Sequence, residues 1–516
     1  YSPVHLALAS ASLPHIRDNG HFGPMSRYAA PLLTLGISLL PRLAAAQESV
    51  DRAMIARIRA EGLERSHVVQ SFRTLTDSIG PRLTGSPAQK TAAEWARAQL
   101  ASWGMSNARL EAFPFGRGWS LEKLSIEMIE PRYFPLTGFP EAWTPSTKSA
   151  LTGAPVYLGD KTAAEIEALG PRLNGAIVLP QGPQVAFLRA DRPQPADTDA
   201  RVRIGAPPFE RSEGKTPLRE MSPVLQKAGA GVVLRPNQGE DGTIFVTGNR
   251  ATADNAVPSI VLVAEHYNMI ARMVQSGIPV KLRVELRTRY HTADSNSYNV
   301  LAEIPGEDPN LKNEVVIIGA HLDSWHSAAG GTDNADAAAA LMESMRILKA
   351  VGAHPRRTIR LALWGGEEQG LLGSRAYVDK HLTGDANAAE RDRVAVYLNN
   401  DPGTGPSFGF YMEENSAAKS IFDAWLEPLK DLGAKRNVMD RIGSTDHLSF
   451  TRVGIPGFTT IQDYRNYDVR EHHTNADFPE RVSEADLKQQ AIVMAAFAWQ
   501  AAMRDQKIPR TVVAVP

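Results

Sequence analysis

Four runs of mostly apolar residues follow one another in the second half of the chain, and each gives way to a polar or glycine-rich segment. The runs are Val315–Ala320, Thr358–Trp364, Val394–Leu398 and Ile455–Ile461. Short runs of this kind, rich in branched residues, are typical of strands that are buried on both faces of a sheet. We therefore predict four such strands.

A helix is predicted between the first two of these strands. Residues 334–349 are rich in alanine, Leu341, Met345 and Leu348 recur at helical spacing, and Gly352 follows as a stop signal. Strands that alternate with helices indicate an α/β fold with a mostly parallel sheet. We expect functional residues at the carboxyl edge of that sheet, where such folds bind their ligands.

Metal-binding side chains stand at or just beyond the ends of these predicted elements. The candidate ligands are His321, Asp333, Glu368, Asp401 and His473. Two histidines and three carboxylates suit two adjacent zinc ions, with one carboxylate bridging them. Another side chain, Glu367, is then left over as a base. The pattern predicts a hydrolase that uses two metal ions.

The local motifs around these residues resemble those of a known enzyme family. In chain order they read His-x-Asp, Thr-Asp-Asn-Ala, Gly-Glu-Glu-x-Gly-Leu-x-Gly-Ser, Asn-Asp and His-Thr-x-x-Asp. This order resembles the co-catalytic dizinc aminopeptidases of clan MH, which also include glutamate carboxypeptidases. Two further stretches, Asp77–Ser86 and Asn299–Gly306, are similar to that family, so the resemblance spans roughly residues 70–480. It implies a three-layer zinc-exopeptidase core.

The resemblance implies a role for each ligand. His321 and Asp401 would hold one zinc ion, Glu368 and His473 would hold the other, and Asp333 would bridge the two. Two Zn²⁺ ions per chain are therefore expected as cofactors. The resemblance also implies a cis peptide bond directly after Asp333.

Two acidic residues beside the ligands are expected to take part in catalysis. By resemblance, Glu367 is the general base, which takes a proton from the attacking water and passes it to the leaving amine. Asp323, two residues after His321, would accept the other N–H of that imidazole and so fix its tautomer.

Further residues near the motifs compete for a ligand position or are candidates for substrate contact. His472 competes with His473, and the spacing His-Thr-x-x-Asp favours His473. The candidates for substrate contact are His326, Asp446, His447, Arg465 and Arg470. The two arginines could bind a substrate carboxylate through paired hydrogen bonds, although arginines in such loops are more often solvated.

Composition excludes several classes of site and partner. The 516-residue chain has a formal net charge of −1, so it offers no basic field for nucleic acid. It has no cysteine, which rules out thiolate zinc sites, a cysteine nucleophile and disulfides. Peptides or dipeptides remain the expected partners, and the sequence does not indicate an oligomeric state.

A secretory signal is expected at residues 25–46. A charged start at Arg27 precedes a leucine-rich stretch and small residues that end at Ala46. The apolar stretch is interrupted by Pro41 and is shorter than the roughly 20 residues of a membrane-spanning helix, so no stable membrane anchor is expected. We expect a secreted or periplasmic protein, with residues 1–24 as an upstream segment that is not native.

The peptidase domain is predicted in two parts, residues 47–127 and 291–510, separated by an insert at residues 128–290. Short β-like runs and a Lys-Ala-Gly-Ala-Gly motif in the insert resemble the protease-associated domain found in this family, a small β-rich module without catalytic residues. Residues 184–213 are rich in proline and arginine and are predicted to form a long loop. The insert is expected either to shape one wall of the substrate cleft or to act as a passive stabilising module.

Three classes of function are compatible with this family resemblance. They are a peptidase, an acyl transferase with a single zinc ion, as in glutaminyl cyclases, and a binding ectodomain that has lost its metals. Retention of the full ligand set and the base favours the peptidase. We expect an aminopeptidase. The alternative is a dipeptidase or carboxypeptidase similar to plasma glutamate carboxypeptidase, which the inserted domain and the Asn-Asn-Asp strand end resemble.

Overall fold

The computed structural model describes residues 48–159, 161–197, 218–250 and 256–510. The expected segments at 1–24 and 25–46 lie outside the described residues. The strands are β1 (Ser106–Pro114), β2 (Gly118–Glu130), β3 (Phe134–Pro135), β4 (Gly138–Pro140), β5 (Leu151–Gly153), β6 (Val156–Tyr157), β7 (Ile177–Leu179), β8 (Val232–Pro236), β9 (Ser259–Leu262), β10 (Lys281–His291), β11 (Asn296–Ile304), β12 (Val315–His321), β13 (Thr358–Trp364), β14 (Val394–Asn399), β15 (Thr404–Tyr411) and β16 (Gly457–Asp463). The helices are α1 (Arg52–Glu64), α2 (Val68–Arg73), α3 (Pro87–Ser102), α4 (Ala163–Glu167), α5 (Leu218–Lys227), α6 (Ala264–Gln275), α7 (Asp336–Ala350), α8 (Leu372–His381), α9 (Ala388–Arg393), α10 (Ser416–Leu426), α11 (His447–Thr451) and α12 (Glu484–Met503).

A seven-stranded sheet, in the order β1-β11-β13-β12-β14-β16-β15, organises the part of the chain that carries the candidate ligands. Its four middle strands, from β13 to β16, pair in parallel. The pairs toward both edges are antiparallel. The sheet is therefore mixed, whereas the sequence predicts a mostly parallel one, because apolar periodicity does not encode the direction of the outer strands β11 and β15.

Helices cover both faces of this sheet. Successive residues of a strand point to opposite faces, so Val316 and Ile318 of β12 pack in a large apolar cluster with α3, α7 and α12. Ile317 points the other way and packs with Tyr377 of α8 and Phe450 of α11. Both faces of the sheet are therefore covered by packed apolar side chains. This packing restricts movement of the strand ends.

Helix α12 is the longest of the described helices and is buried along most of its length. It packs against α7, where Oγ of Ser344 donates a hydrogen bond to the carbonyl of Ala491 at 2.9 Å. It is thus an interior helix of the domain. In the described ranges, no helix combines the length and apolar character needed to cross a bilayer.

The insert (residues 118–291) lies between β1 and β11. Its long strands β2 and β10 pair with each other from Gly118–His291 to Glu130–Lys281. A five-stranded sheet, β4-β9-β8-β7-β6, has three parallel pairings out of four and packs with α6 on an apolar cluster. With α4, α5 and α6 the insert is an α/β unit, whereas the sequence predicts a β-rich module that starts at residue 128. The remaining described residues, 48–117 and 292–510, are called the core below.

Candidate metal centre

The ends of the parallel strands meet at one edge of the core sheet. His321 is the last residue of β12 and pairs with Trp364, the last residue of β13. Gly319 of β12 pairs with Asn399, which ends β14 just before Asp401. This register places the three strand ends side by side, so the candidate ligands that follow them lie at the carboxyl edge of the sheet.

Asp333 reaches the same edge from a tight turn between β12 and α7. Gly330 precedes the turn with a φ of 61°, and a Cβ there would clash with Ser324. Asp477 holds the turn, because its Oδ1 accepts a hydrogen bond from the N–H of Thr332 at 2.6 Å and its Oδ2 accepts one from the N–H of Asp333 at 3.2 Å. The peptide bond after Asp333 is cis, as the resemblance implied.

Asp333 stands between the two predicted histidine ligands. Its Oδ1 lies 3.1 Å from Nε2 of His321, and its Oδ2 lies 3.4 Å from Nε2 of His473. On one side, Oδ1 of Asp401 lies 3.6 Å from the same nitrogen of His321. On the other side, Oε2 of Glu368 lies 2.8 Å from Nε2 of His473. The side chains thus form two adjacent groups that share one carboxylate.

The atoms of this cluster are suited to hold cations. Nε2 of His321, Oδ2 of Asp333 and Oε1 of Glu368 are buried and have no hydrogen-bond partner among the residues that the structure describes. Ligand atoms of His321, Asp333 and Asp401 lie within 4.8 Å of one another. Buried polar atoms normally have partners, and carboxylate oxygens with imidazole nitrogens are donors that zinc accepts. The donor set therefore fits zinc.

The charges of the cluster favour a bound cation as well. Burial and repulsion from Asp333 raise the pKa of Glu368 to about 7, against the attraction of His473. Burial lowers the pKa of His473, but Glu368 and Asp333 outweigh it and raise that pKa to about 9. Burial and neighbouring carboxylates hold the pKa of Glu367 well above its usual range. Crowded, buried carboxyl groups with raised pKa values are typical of functional sites.

Asp323 makes different contacts from those predicted. Its backbone carbonyl oxygen lies 3.0 Å from Nδ1 of His321, whereas its carboxylate Oδ1 is 3.7 Å from that nitrogen. The carboxylate accepts hydrogen bonds from the backbone N–H groups of Glu367 (3.2 Å) and Glu368 (3.3 Å) and from Oγ1 of Thr84 (2.8 Å). The side chain of Asp323 therefore fixes the turn that presents both glutamates, and the main chain orients the imidazole.

Both members of the pair His472-His473 lie beside Asp333. Their ring centroids are 3.7 Å apart, and His472 also stacks on Tyr467 at 5.2 Å. Ligand atoms of Asp333, His472 and His473 form a second group within 4.8 Å. Nε2 of His473 faces both Asp333 and Glu368, which is the arrangement expected of the ligand. The choice of His473 over His472 stays a prediction.

Asp446 and His447 lie inside the protein at the start of α11. Both carboxylate oxygens and both ring nitrogens are buried, and none has an aligned hydrogen bond within the described residues. Nε2 of His447 lies 3.2 Å from Oε1 of Glu413. Burial raises the pKa of Asp446 to about 7, and its charge in turn acts on Glu367. Both residues therefore stay candidates for substrate contact.

The other three candidates for substrate contact are engaged elsewhere. Nε2 of His326 lies 2.7 Å from the carbonyl oxygen of Pro140 in the insert. Arg470 donates hydrogen bonds to the 240–243 loop of the insert. The side chain of Arg465 is 81% exposed. The sequence could not show the partners of His326 and Arg470, because these lie far away in the chain, whereas Arg465 pairs with the nearby Asp463 at 3.2 Å.

Arg82 is a positioning residue that sequence reasoning missed. Its guanidinium is fully buried and donates hydrogen bonds to the carbonyls of Leu322 (2.8 Å), Ala329 (2.8 Å) and Gly330 (2.9 Å). These carbonyls belong to the loop that leads to Asp333, so Arg82 fixes its path. The segment was noted only by resemblance, because an arginine that binds main-chain carbonyls has no local signature.

Comparisons with known proteins find relatives among peptidases. The profile of peptidase family M28 matches residues 299–498. Carboxypeptidase Q of Mus musculus is 24% identical over 468 residues, which are 90% of this chain and 91% of that protein. The crystal structure of a peptidase M28 precursor from Shewanella amazonensis SB2B has a TM-score of 0.67 at 23% identity and covers 89% of this chain and 98% of its own. The structure of BSAP, a zinc aminopeptidase from Bacillus subtilis, has a TM-score of 0.56 at 20% identity and covers 85% of this chain and 95% of its own.

The similarity to solved structures and the match to the family profile support different conclusions. The solved structures share the fold at low identity, and a shared fold does not by itself establish a function. The profile match is specific to the catalytic part: it begins in β11, ends in α12 and includes every candidate metal ligand. Residues 299–498 of this chain therefore form a peptidase domain of family M28.

Proposed function

We propose that this protein is a zinc-dependent exopeptidase with two metal ions and that it removes residues from free amino termini. The observation that carries the proposal is the position of Asp333, whose two oxygens lie 3.1 Å from His321 and 3.4 Å from His473. With Asp401 on one side and Glu368 on the other, this carboxylate is placed to bridge two ions. The similarity in fold to a zinc aminopeptidase supports the choice of metal.

The chain supplies the base and holds it in place. Zinc ions bound here would supply positive charge that lowers the pKa of water and stabilises negative charge on a substrate carbonyl. Glu367 would take a proton from the attacking water and pass it to the leaving amine. Asp323 supports this role, because its carboxylate binds the backbone N–H of Glu367 at 3.2 Å and restricts the turn.

Carboxylates around the site favour a positively charged end of the substrate. Glu367 and Asp401 would position the α-amino group of a peptide, so that its first carbonyl lies at the attacking water. This is the basis for proposing an aminopeptidase. The alternative is a dipeptidase or carboxypeptidase, and the similarity to Carboxypeptidase Q over 90% of this chain supports it.

A comparison of one tripeptide in free, acetylated and amidated forms tests the proposal. Acetylation removes the positive charge of the amino terminus, so an aminopeptidase should cut the acetylated form far more slowly and the amidated form almost normally. Tolerance of acetylation with loss on amidation would indicate a carboxypeptidase. Loss on both would indicate that both free ends are needed, as in a dipeptidase, and no cleavage of any tripeptide form or of a free dipeptide would contradict the exopeptidase proposal.

We also infer that the enzyme acts outside the cytoplasm, as a secreted or periplasmic protein with peptide substrates. The support is the signal-like segment at residues 25–46, whose apolar stretch ends in small residues. If the segment is removed on export, amino-terminal analysis of the exported protein should find Gln47 as its first residue. Retention of the segment on a membrane-bound protein would contradict the inference.

A further inference from the structure

The ligand loop (residues 462–475) carries His473 and is bound by the insert on both of its sides. On one side the main chain of the insert makes the contacts: the N–H of Val246 donates to the carbonyl of His473 at 3.1 Å. The N–H of Ile244 donates to Oδ1 of Asn475 at 2.7 Å, and the N–H of Asn475 donates back to the carbonyl of Ile244 at 3.1 Å. This loop of the insert therefore holds the main chain of the candidate metal ligand.

The bridging loop (residues 184–197) of the insert holds the other side of the ligand loop. The carboxylate of Asp191 accepts hydrogen bonds from the N–H groups of Asn466 (2.7 Å) and Val469 (3.1 Å). The guanidinium of Arg192 binds both oxygens of Asp468, with Nε to Oδ2 at 2.9 Å and Nη2 to Oδ1 at 2.5 Å. The backbone N–H of Arg192 donates to the same carboxylate at 2.8 Å. The ligand loop is therefore fixed by charged groups from outside the core.

The Arg192–Asp468 pair is buried, which makes it strong and directional. The two side chains are 14% and 7% exposed. Paired hydrogen bonds from a guanidinium to a carboxylate fix orientation as well as distance. Arg192 also lies over the ring of Tyr467, 5.8 Å from its centroid, and Tyr467 stacks on His472, the neighbour of His473. A continuous set of contacts thus leads from the insert to the metal-binding histidine.

His473 needs such external support because of its backbone. Its φ is 60°, in the left-handed region that residues other than glycine rarely adopt. A conformation of this kind persists only where the surroundings enforce it. Strand β16 ends at Asp463, at the start of the ligand loop. The rest of the loop is irregular main chain with one short helical turn at 467–471. The contacts from the insert supply the restraint.

We propose that Arg192 is a positioning residue of the metal centre and that the insert, through it, sets the affinity of one metal position. That position is the one formed by Glu368 and His473. The other position, formed by His321 and Asp401 on the strand ends of the core, does not depend on Arg192. The proposal rests on the proposed function, because it takes His473 as a zinc ligand.

Three variants of the full-length protein test the proposal. Arg192→Met keeps the aliphatic stem and removes the guanidinium, and Arg192→Lys keeps the charge without the paired hydrogen bonds. Arg189→Met is the matched control, because Arg189 lies on the same bridging loop but pairs with Glu240 inside the insert at 2.8 Å, with 68% of its side chain exposed.

The first measurement needs no metal. Amide hydrogen exchange of peptides from residues 462–476 is followed in chelator-treated protein. Arg192→Met should exchange in this segment at least about tenfold faster than the wild type, because the contact that restrains the segment is lost. Arg192→Lys should lie in between, and Arg189→Met should match the wild type. Equal exchange in Arg192→Met and the wild type would overturn the proposal whatever the enzyme's activity.

The second measurement is zinc content during titration with a chelator. Arg192→Met should release one of its two zinc ions at about a tenfold lower chelator concentration than the wild type and should keep the other unchanged. Equal weakening of both ions, or of neither, would overturn the proposal. A wild type that binds no zinc would instead contradict the proposed function, and the exchange result would still decide whether Arg192 holds the ligand loop.

Discussion

Two sheets in this molecule have parallel strands, and they differ in the side chains that stand at the ends of those strands or within four residues after them. In the core these are candidate metal ligands, with His321 at the end of β12, Glu368 after β13 and Asp401 after β14, together with the candidate base Glu367. In the insert, the equivalent stretches after β7, β8 and β9 begin with Pro180, Asn237 and Val263, and their Glu240, Glu265 and His266 belong to no metal-binding group among the described residues. In the parts of the chain that the structure describes, the groups able to hold a metal belong to the core.

In the insert, a residue at the equivalent sheet edge fixes the main-chain path of a neighbouring loop. Oδ1 of Asn237, directly after β8, accepts a hydrogen bond from the N–H of Phe245 at 3.0 Å. Phe245 lies between Ile244 and Val246, whose main chains contact the ligand loop. A parallel sheet edge is thus a place where loops converge, and the residues after each strand decide whether that place binds a ligand or supports another loop.

The largest effect should come from Asp333→Ala, which should disrupt the metal site of the core and leave the insert unchanged. The variant loses the carboxylate shared by both metal positions, so we expect no measurable turnover and less than one zinc ion per chain. The insert should keep wild-type hydrogen exchange in β2 and β10. Chelation of the wild type should also abolish activity and lower thermal stability, and added zinc should restore both.

Asp308→Ala is the control for this variant. Asp308 belongs to the core and pairs with Arg356 at 2.9 Å, so its loss should leave zinc content and turnover unchanged. Two zinc ions in Asp333→Ala would contradict the bridging role of that carboxylate.

The next largest effect distinguishes the base from the ligand. Glu367→Gln keeps the shape of the side chain but cannot accept a proton, so kcat should fall by at least roughly 100-fold. Both metals should stay bound. Glu368→Ala should lose a metal as well as activity. Steady-state kinetics with metal analysis measures both, and normal turnover in Glu367→Gln would show that another group is the base.

A smaller effect is expected in the pH dependence of stability, through His326, a core residue that contacts the insert. Burial lowers the pKa of His326 to about 4, from about 6.5 in the unfolded chain. Between these values the unfolded chain binds more protons, so stability is fully present above pH 6.5 and declines as the pH falls toward 4, by up to roughly 3 kcal/mol. Denaturant unfolding of the wild type and His326→Gln across this range measures the difference. The variant should show a flatter profile, and identical profiles would refute the assignment.

The smallest effect is expected at Thr84, whose hydroxyl donates a hydrogen bond to Asp323 at the core site. Thr84→Val removes the hydrogen bond to Oδ2 of Asp323 and should cost about 1 kcal/mol of unfolding free energy. Thr74→Val is the matched control, because the hydroxyl of Thr74 donates to the carbonyl of Gln70 in its own helical segment. The control should change stability by less than about 0.5 kcal/mol. Equal losses in the two variants would mean that the bond to Asp323 has no special weight.

The four apolar runs correspond to β12, β13, β14 and β16, because burial on both faces leaves a local signature in the sequence. Most of the candidate ligands could be picked out for a related reason, since those at the ends of β12, β13 and β14 stand close to such runs, and their role as ligands stays a prediction. The contacts of Arg192 and His326 were not visible, because their partners Asp468 and Pro140 lie 276 and 186 residues away in the chain. Strand direction in β11 and the folding of the insert depend on such long-range pairing too.

Helix α12 has a consequence for the order in which parts of the chain can fold. Nε2 of its Gln490 donates to Oδ2 of Asp336 at 3.1 Å, and its Oε1 accepts from Nδ2 of Asn400, the neighbour of Asp401, at 2.9 Å. The candidate metal centre is therefore braced by a helix that follows every candidate ligand in the chain, whereas the insert precedes all of them. During synthesis, the insert can begin to fold before the helix that braces the candidate ligands is available.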